Sequence, residues 1–495
     1  MIVAFLSSFL LSFLIGFFAV SLLWPRGRQT NSDIVLRCCL AVGFGFGISS
    51  CLFFCWLYFL GSSTRYFGRS YIVPEVVTAV GLGVACFYSS RKPISSNGQD
   101  HDRREEYGSL LARLLGRLLP TVFYVVLAGS VITFILIALT HQHGEWDAWS
   151  IWNLRARFLA RGTEHWRNAF VLSQGLPHAD YPLLLPLTVA RGWKYIGSEA
   201  FLVPIAVAFL FTFSSAGILC SSLAILRSKQ TCYLAGTVML GASSLVSHGA
   251  SQYADVVIGF FMLCAIVAVA MCHQMPSGEN AGLLVVAGLA VGFAAWTKNE
   301  GLLFLVVFAG VFFLEAAWRS GWKACLREAS MFAIGLLPVV AVVAWFKLSL
   351  APLNYLQPGN YSAQGPMQYF LEPGSVSQKL ATLFRYRVVA KAMARELLFS
   401  HAKIPGVTPL LVFYALFARP RKSSVISAST GAAILVLMLV GYFFVYITTP
   451  LNLVHHLDTS LARLLLQLWP SWLFVFFLAT STPKPNHLAV APHAQ

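Results

Sequence analysis

Residues 118–140 read LLPTVFYVVLAGSVITFILIALT, and EWDAWSIWNLRAR follows at 145–157. At 1.5 Å per helical residue the first stretch reaches about 35 Å, enough to cross the roughly 30 Å hydrocarbon core of a bilayer. The second then lands at the membrane surface with two carboxylates, Glu145 and Asp147, three tryptophans and two arginines. Tryptophan suits that depth, where its ring is half wet. Carboxylates there are costly unless they do chemistry, bind a cation or meet a partner. Together the two stretches predict a transmembrane helix that opens onto a functional surface.

The rest of the chain fits that reading. Of 495 residues, 57% are apolar and 11% charged, and the mean hydropathy is +0.70. Such values belong to a polytopic membrane protein rather than a soluble one. The net charge of +16 comes from basic residues scattered in short loops. Anionic headgroups and the positive-inside bias account for that pattern better than nucleic acid does. The ten cysteines, among them Cys38, Cys39, Cys51, Cys55 and Cys86, lie mostly in apolar runs without metal-type or disulfide-type spacing and read as small core residues. The first 24 residues are apolar and lack an obvious small-residue cleavage site, so they read as a first helix rather than a removed signal peptide.

Apolar runs fall near 2–24, 34–60, 72–89, 118–140, 200–226, 231–248, 255–273, 280–296, 301–318, 329–348, 405–418, 429–449 and 464–480. The expected fold is therefore an all-α polytopic bundle of about thirteen transmembrane helices, with short surface helices in its outer loops. Arg26, Arg28, Arg91, Lys92, Arg227, Lys229, Arg319, Lys323, Arg327, Arg419, Arg421 and Lys422 mark the cytoplasmic loops. Threading through them puts 141–199, 249–254, 297–300, 349–404 and 450–463 outside, provided that the apolar stretch 182–196 is re-entrant or surface-lying. The organisation expected is an N-terminal helical part with a basic cytoplasmic loop at 1–117, a membrane core at 118–480 and a disordered tail at 481–495.

That threading gathers Glu145, Asp147, Asp180, Asp255, Glu300 and Asp458 at outer helix ends, whereas Asp100, Asp102, Glu105 and Glu106 alternate with arginines in a loop. In Glu145-Trp146-Asp147 the i, i+2 spacing turns the two acids apart, so one faces a cavity. A partly desolvated carboxylate there suits a general base, and a helix cap at Asp147 is the plainer reading. His178 and Asp180 precede Pro182, which opens a helix in an ordinary way. Tyr253-Ala-Asp255 places an acid at a helix N-terminus, where the dipole stabilises it in any case. Lys298 and Glu300 fill a very short outer turn, either as a phosphate-binding cation and its companion or as a surface pair worth under about 1 kcal/mol. His455, His456, Asp458 and Arg463 open the last helix as a phosphate or sugar-hydroxyl site, or as snorkelling caps; adjacent histidines make poor metal ligands on one face. Arg385, Arg387, Lys391 and Arg395 read as the wet side of an interfacial helix. No glycine-rich phosphate loop accompanies these elements.

In order and kind these elements resemble the GT-C superfamily of membrane glycosyltransferases, in its bacterial protein-mannosyltransferase-like branch. The resemblance spans roughly 118–480 and rests on the outer acids Glu145 and Asp147, the His178–Pro182 element, the Tyr253–Asp255 helix entry and a late basic outer loop. It implies a transferase of the bacterial inner membrane, with its active site on the outer, periplasmic face. That enzyme moves a sugar from a polyprenyl-phosphate donor to an extracytoplasmic glycan, lipid or protein acceptor, with inversion. Asp147 matches the family's loop acid, the acceptor's base, with Glu145 as the other candidate. His178, Asp180, Tyr253, Asp255, Lys298, Glu300, His456 and Arg463 become substrate-binding, with Lys298 or Arg463 toward the phosphate. No organic cofactor is expected and a divalent cation is left open. The chain departs from the family in having three apolar runs before 118–140, and in Ala179-Asp180 where a double proline is usual. An O-antigen ligase or polymerase, leaning on Arg385 and His456, and a lipid or sugar transporter are the alternatives.

Overall fold

The computed structural model describes residues 1–25, 30–60, 70–90, 110–171, 178–274, 281–351, 372–399, 407–417 and 425–480. Among them every regular element is helical, and nine helices are long and apolar enough to cross a membrane. The chain is a helical bundle of the membrane type. Ala254–Cys272, apolar all round beyond Asp255 in its first turn and buried at every position, is its centre. Leu202–Leu226, Ala281–Thr297, Leu453–Ala479 and Asn31–Leu60 pack around it. Farther out, Ile72–Ser90 and Leu110–Thr140 turn Val77, Val80, Val125 and Leu136 outward, as lipid-facing helices do.

Close packing substitutes here for the hydrophobic drive that lipid removes. Ile2–Leu23 crosses Asn31–Leu60 so tightly that a Cβ on Gly16 would lie 2.0 Å from the Ala41 carbonyl oxygen, and one on Gly45 would lie 2.0 Å from that of Ser12. Ser12 and Ser49 share a hydroxyl hydrogen bond of 3.0 Å at the same crossing.

The predicted spans match helices to within a few residues at most positions, and the differences have local causes. The run 231–248 is two helices, Lys229–Gly241 and Ser243–Ala250, broken at an extended Ala242, so neither spans alone. Val407–Phe417 has 11 residues and Ala281–Thr297 has 17. The runs 301–318 and 329–348 belong to one 51-residue element, Asn299–Ser349, which turns at Gly321 (φ 75°). Thirteen full spans are thus not reached among the described residues. Leu110–Thr140 begins eight residues before the predicted run, inside what was expected to be the cytoplasmic loop; the remainder of that loop and the 481–495 tail lie outside the described residues.

Leu184–Ile196, expected to be re-entrant or surface-lying, is too short to span at about 20 Å. It does not lie on the surface: nearly all of it is buried. Its Arg191 pairs with Glu75 through both Nε and Nη2 and donates to the Ser8 carbonyl at 3.1 Å, while the Tyr195 hydroxyl donates to Glu75 at 2.6 Å. Both charges are fully enclosed, and a buried pair so satisfied clamps the short helix to two N-terminal helices.

The bundle has two distinct ends. At one, His273, Glu315, Arg319 and Glu328 form a chain of ion pairs beside exposed Trp318 and Trp322, and Arg227 donates to the Thr480 carbonyl. At the other, parts of 141–199, 249–254, 297–300 and 450–463, which the charge bias placed together as outer, meet the start of Ala254–Cys272 and the end of Val425–Thr448.

Candidate active site

At that second end, Gly144 redirects the chain after Leu110–Thr140. Its φ of +72° is a backbone state that favours glycine, and an added Cβ would meet Ala148 Cβ at 2.5 Å and the Ser251 carbonyl at 2.7 Å. The turn is tied to the entry of the central helix. The Glu145 amide donates to Ser251 O at 3.2 Å, Gln252 Nε2 to Gln142 O at 3.1 Å, and Asn153 Nδ2 to Gln252 Oε1 at 2.7 Å. A widened π-type turn, Ala148–Trp152, follows and sorts the side chains. Trp146 and Trp149 face outward in edge contact at 4.5 Å, as interfacial tryptophans do. Trp152 turns inward and stacks on Tyr181 at 5.6 Å, so only two of the three tryptophans serve the interface.

Asp147 points into the end of the bundle, where Arg463 of Leu453–Ala479 meets it in an ion pair. Arg463 also lies 5.4 Å over the Tyr253 ring and donates to its own helix at Thr459 O, 3.1 Å away. Beneath is a drier group. Lys298 lies between Asp255 at 2.9 Å and Glu300 at 2.8 Å, with the Tyr181 ring 5.8 Å away. Gln467 donates to Asp255 Oδ1 at 2.6 Å and accepts from the Tyr442 hydroxyl at 2.7 Å. Asp255 Oδ2 and Glu300 Oε2 are buried without a hydrogen-bond partner among the described residues. On a third side Asn299 donates to Asp180 Oδ2 at 2.7 Å, and Lys347 donates to Asn299 Oδ1 at 2.7 Å and to the Asp180 carbonyl at 2.5 Å.

His178, in a left-handed conformation (φ 51°), stacks on Tyr181 at 4.4 Å, and Arg155 donates to its carbonyl at 2.8 Å. Burial lowers its pKa against the pull of Asp180 and Asp147, so the imidazole stays neutral near pH 7. Burial and the charge of Asp147 push the Tyr253 phenol up to about 12, keeping its proton as a donor. Burial opposes the charge of Lys298, but Asp255 and Glu300 outweigh it and hold its pKa well above the usual lysine value. His456 shares a hydrogen bond of 2.9 Å with Thr449 and packs on Tyr446 at 4.9 Å.

Of the residues singled out in the sequence, Asp147, His178, Asp180, Tyr253, Asp255, Lys298, Glu300, His456 and Arg463 thus meet at one end of the bundle. Glu145 stands at the rim, nearly half exposed and 3.5 Å from His141. Asp458 faces outward. Arg385 is not on the wet side of its helix: it is buried, donating to the carbonyls of Ile447 at 2.8 Å and Tyr446 at 3.3 Å and pairing with Glu372 at 2.7 Å. It caps the end of Val425–Thr448, while Arg387, Lys391 and Arg395 are exposed. The sequence reading missed Arg155, Lys347, Tyr442 and Gln467, and gave no role to Asn299, although it lies in the outer turn with Lys298 and Glu300. Lys347 and Gln467 had a signal, being polar residues inside apolar runs.

Among the described residues no three His, Cys, Asp or Glu side chains form a metal-ligand set. No family model, curated protein or solved structure matches the chain.

Proposed function

We propose that this membrane protein is a glycosyltransferase of GT-C type, moving a sugar from a polyprenyl-phosphate donor to an acceptor at the outer face of a bacterial inner membrane. The observation that carries the reading is the meeting of a mostly buried carboxylate, Asp147, with a mostly buried arginine, Arg463, beside an outward tryptophan pair. A lipid-linked sugar presents its phosphate at headgroup depth, level with such a site. Catalysis there requires one base and one cation, with no nucleotide site.

In this reading an acceptor hydroxyl oxygen attacks the anomeric carbon as the bond from that carbon to the phosphate oxygen breaks. The departing electron pair stays on the polyprenyl phosphate and Asp147 takes the hydroxyl proton. Arg463, able to present two parallel donors, stabilises the charge that develops on the phosphate. Tyr253 and neutral His178 offer uncharged polar contacts to the substrate. Lys298, enclosed by two carboxylates, holds Asp255 and Glu300 in place rather than receiving the phosphate. Asp147 is preferred to Glu145 as base because it faces the network, whereas Glu145 faces water. One acid acting as base in a single displacement gives inversion at the anomeric carbon.

The test is consumption of radiolabelled polyprenyl-phosphate sugars by the purified chain in lipid. Asp147→Asn should lower turnover by about 10²–10⁴-fold, the usual contribution of a general base. Glu145→Gln should stay within a few-fold of wild type, and the product should carry the inverted anomeric configuration. Failure of the wild type to consume any donor would redirect attention to transport, and a retained configuration would eliminate the single displacement.

A further inference from the structure

Four carboxylates and four cations face one another at this end: Asp147, Asp180, Asp255 and Glu300 against Arg155, Lys298, Lys347 and Arg463. These eight charges balance without substrate, so a phosphate arriving among them competes with the carboxylates for the paired cations. The pairs are not equally easy to open. Lys298 has two carboxylate partners and its side chain is 7% exposed; Asp255, one of those partners, is 1% exposed. Lys347 is held by an amide and a carbonyl oxygen as well as by Asp180. Arg155 is buried. Arg463 makes one direct ion pair, with Asp147, while Asp255 attracts it from farther off, and both members of that pair reach solvent, at 21% and 15%. The Tyr253 ring gives its guanidinium a surface to slide on.

Building on the glycosyltransferase reading, we infer that the Asp147–Arg463 pair is an exchange latch: a lipid-linked phosphate takes Arg463 from Asp147 and thereby frees the carboxylate to act as base. In the latched state the guanidinium holds one Asp147 oxygen, Oδ2, and so competes with an acceptor hydroxyl for the carboxylate. Transfer of Arg463 to the phosphate leaves the cation matched and turns Asp147 into an unpaired carboxylate. The base is released only when a donor is present, so the donor binds productively before the acceptor. Asp147 therefore competes with substrate for Arg463 while also serving the chemistry.

A competitor and a positioning partner give opposite results when removed. The full chain in lipid nanodiscs is titrated with a sugar-free polyprenyl monophosphate, in parallel with inorganic phosphate, and binding is read by calorimetry. Exchange predicts that Asp147→Asn, which keeps an oxygen facing Arg463 but removes its charge, binds the lipid phosphate three- to tenfold more tightly than wild type. Arg463→Gln should lose at least tenfold, and Arg463→Lys, which retains the charge should Arg463→Gln not fold, should bind with intermediate affinity. Equal or weaker binding by Asp147→Asn overturns the latch and leaves the glycosyltransferase reading standing. Tightening by Asp147→Asn that inorganic phosphate reproduces alone assigns the exchange to free phosphate and overturns the lipid-linked form. Absence of polyprenyl-phosphate binding in wild type and variants alike overturns both readings.

Discussion

Replacing Lys298 by methionine tests the innermost part of the network. Methionine keeps an unbranched stem of similar length, so packing changes little while the charge disappears. Two contacts are lost, at 2.9 Å to Asp255 and 2.8 Å to Glu300. With an effective dielectric near 20 each attraction amounts to about 6 kcal/mol before desolvation. Taking the ammonium out of water offsets much of that, and measured losses on removing one partner of a buried pair settle at about 3–5 kcal/mol. The larger figure applies here, because Asp255 is fully buried with one oxygen already lacking a partner.

The expected outcome is a loss of about 4–5 kcal/mol for Lys298→Met. The double variant Lys298→Met/Asp255→Asn should recover about 1–3 kcal/mol, since asparagine still accepts from Gln467 and only Glu300, which reaches solvent, stays unpaired. Denaturant unfolding in a fixed mixed micelle, followed by tryptophan fluorescence, gives both numbers. A single variant within about 1 kcal/mol of wild type, or a double variant less stable than the single, would refute the reasoning, because either result means that Lys298 does not neutralise Asp255.

Three further outcomes follow from the same geometry. Gly144→Ala should cost about 1–3 kcal/mol and lower donor turnover, since the positive φ and the contacts to Ala148 and Ser251 force the turn that aims Asp147 to shift; unfolding and turnover measured together check it. Arg191→Met should cost about 3–5 kcal/mol by stranding Glu75, and Arg191→Met/Glu75→Gln should regain a large part of it, read by the same unfolding assay. The lowered pKa of His178 means that the folded chain takes up its proton less readily than the unfolded chain, so its contribution to stability is full above about pH 6.5 and shrinks as pH falls below it. His178→Asn, a residue that tolerates the positive φ, should flatten that part of the stability–pH curve, measured as unfolding midpoints between about pH 5 and 8.

The legible part of this fold was the part governed by one-dimensional physics. Apolar runs mark helices because lipid forces every backbone group into them, and parity then sends alternate helix ends to the same side. That is why Asp147, Tyr253, Asp255, Lys298, Glu300, His456 and Arg463 could be gathered by threading alone. Pairing obeys no such rule. Glu75 and Arg191 are 116 positions apart, and nothing in either local sequence says that they meet. Arg385 occupies a position that looks wet on its own helix, yet its long side chain reaches inward to another helix's carbonyls. The break at Ala242 is marked only by Gly241 and the serines after it, a signal that an apolar helix also tolerates in its interior. The choice between Glu145 and Asp147 shows the boundary most clearly. Spacing of i, i+2 guarantees that the two acids diverge, but which one turns inward depends on Gly144 and on the π-type turn at 148–152. Both features are anchored by Ser251 and Gln252, a hundred residues on. A carboxylate's proximity to the membrane surface is thus a property of the run before it, whereas its orientation, and with it the capacity to accept a proton, is set by a distant turn.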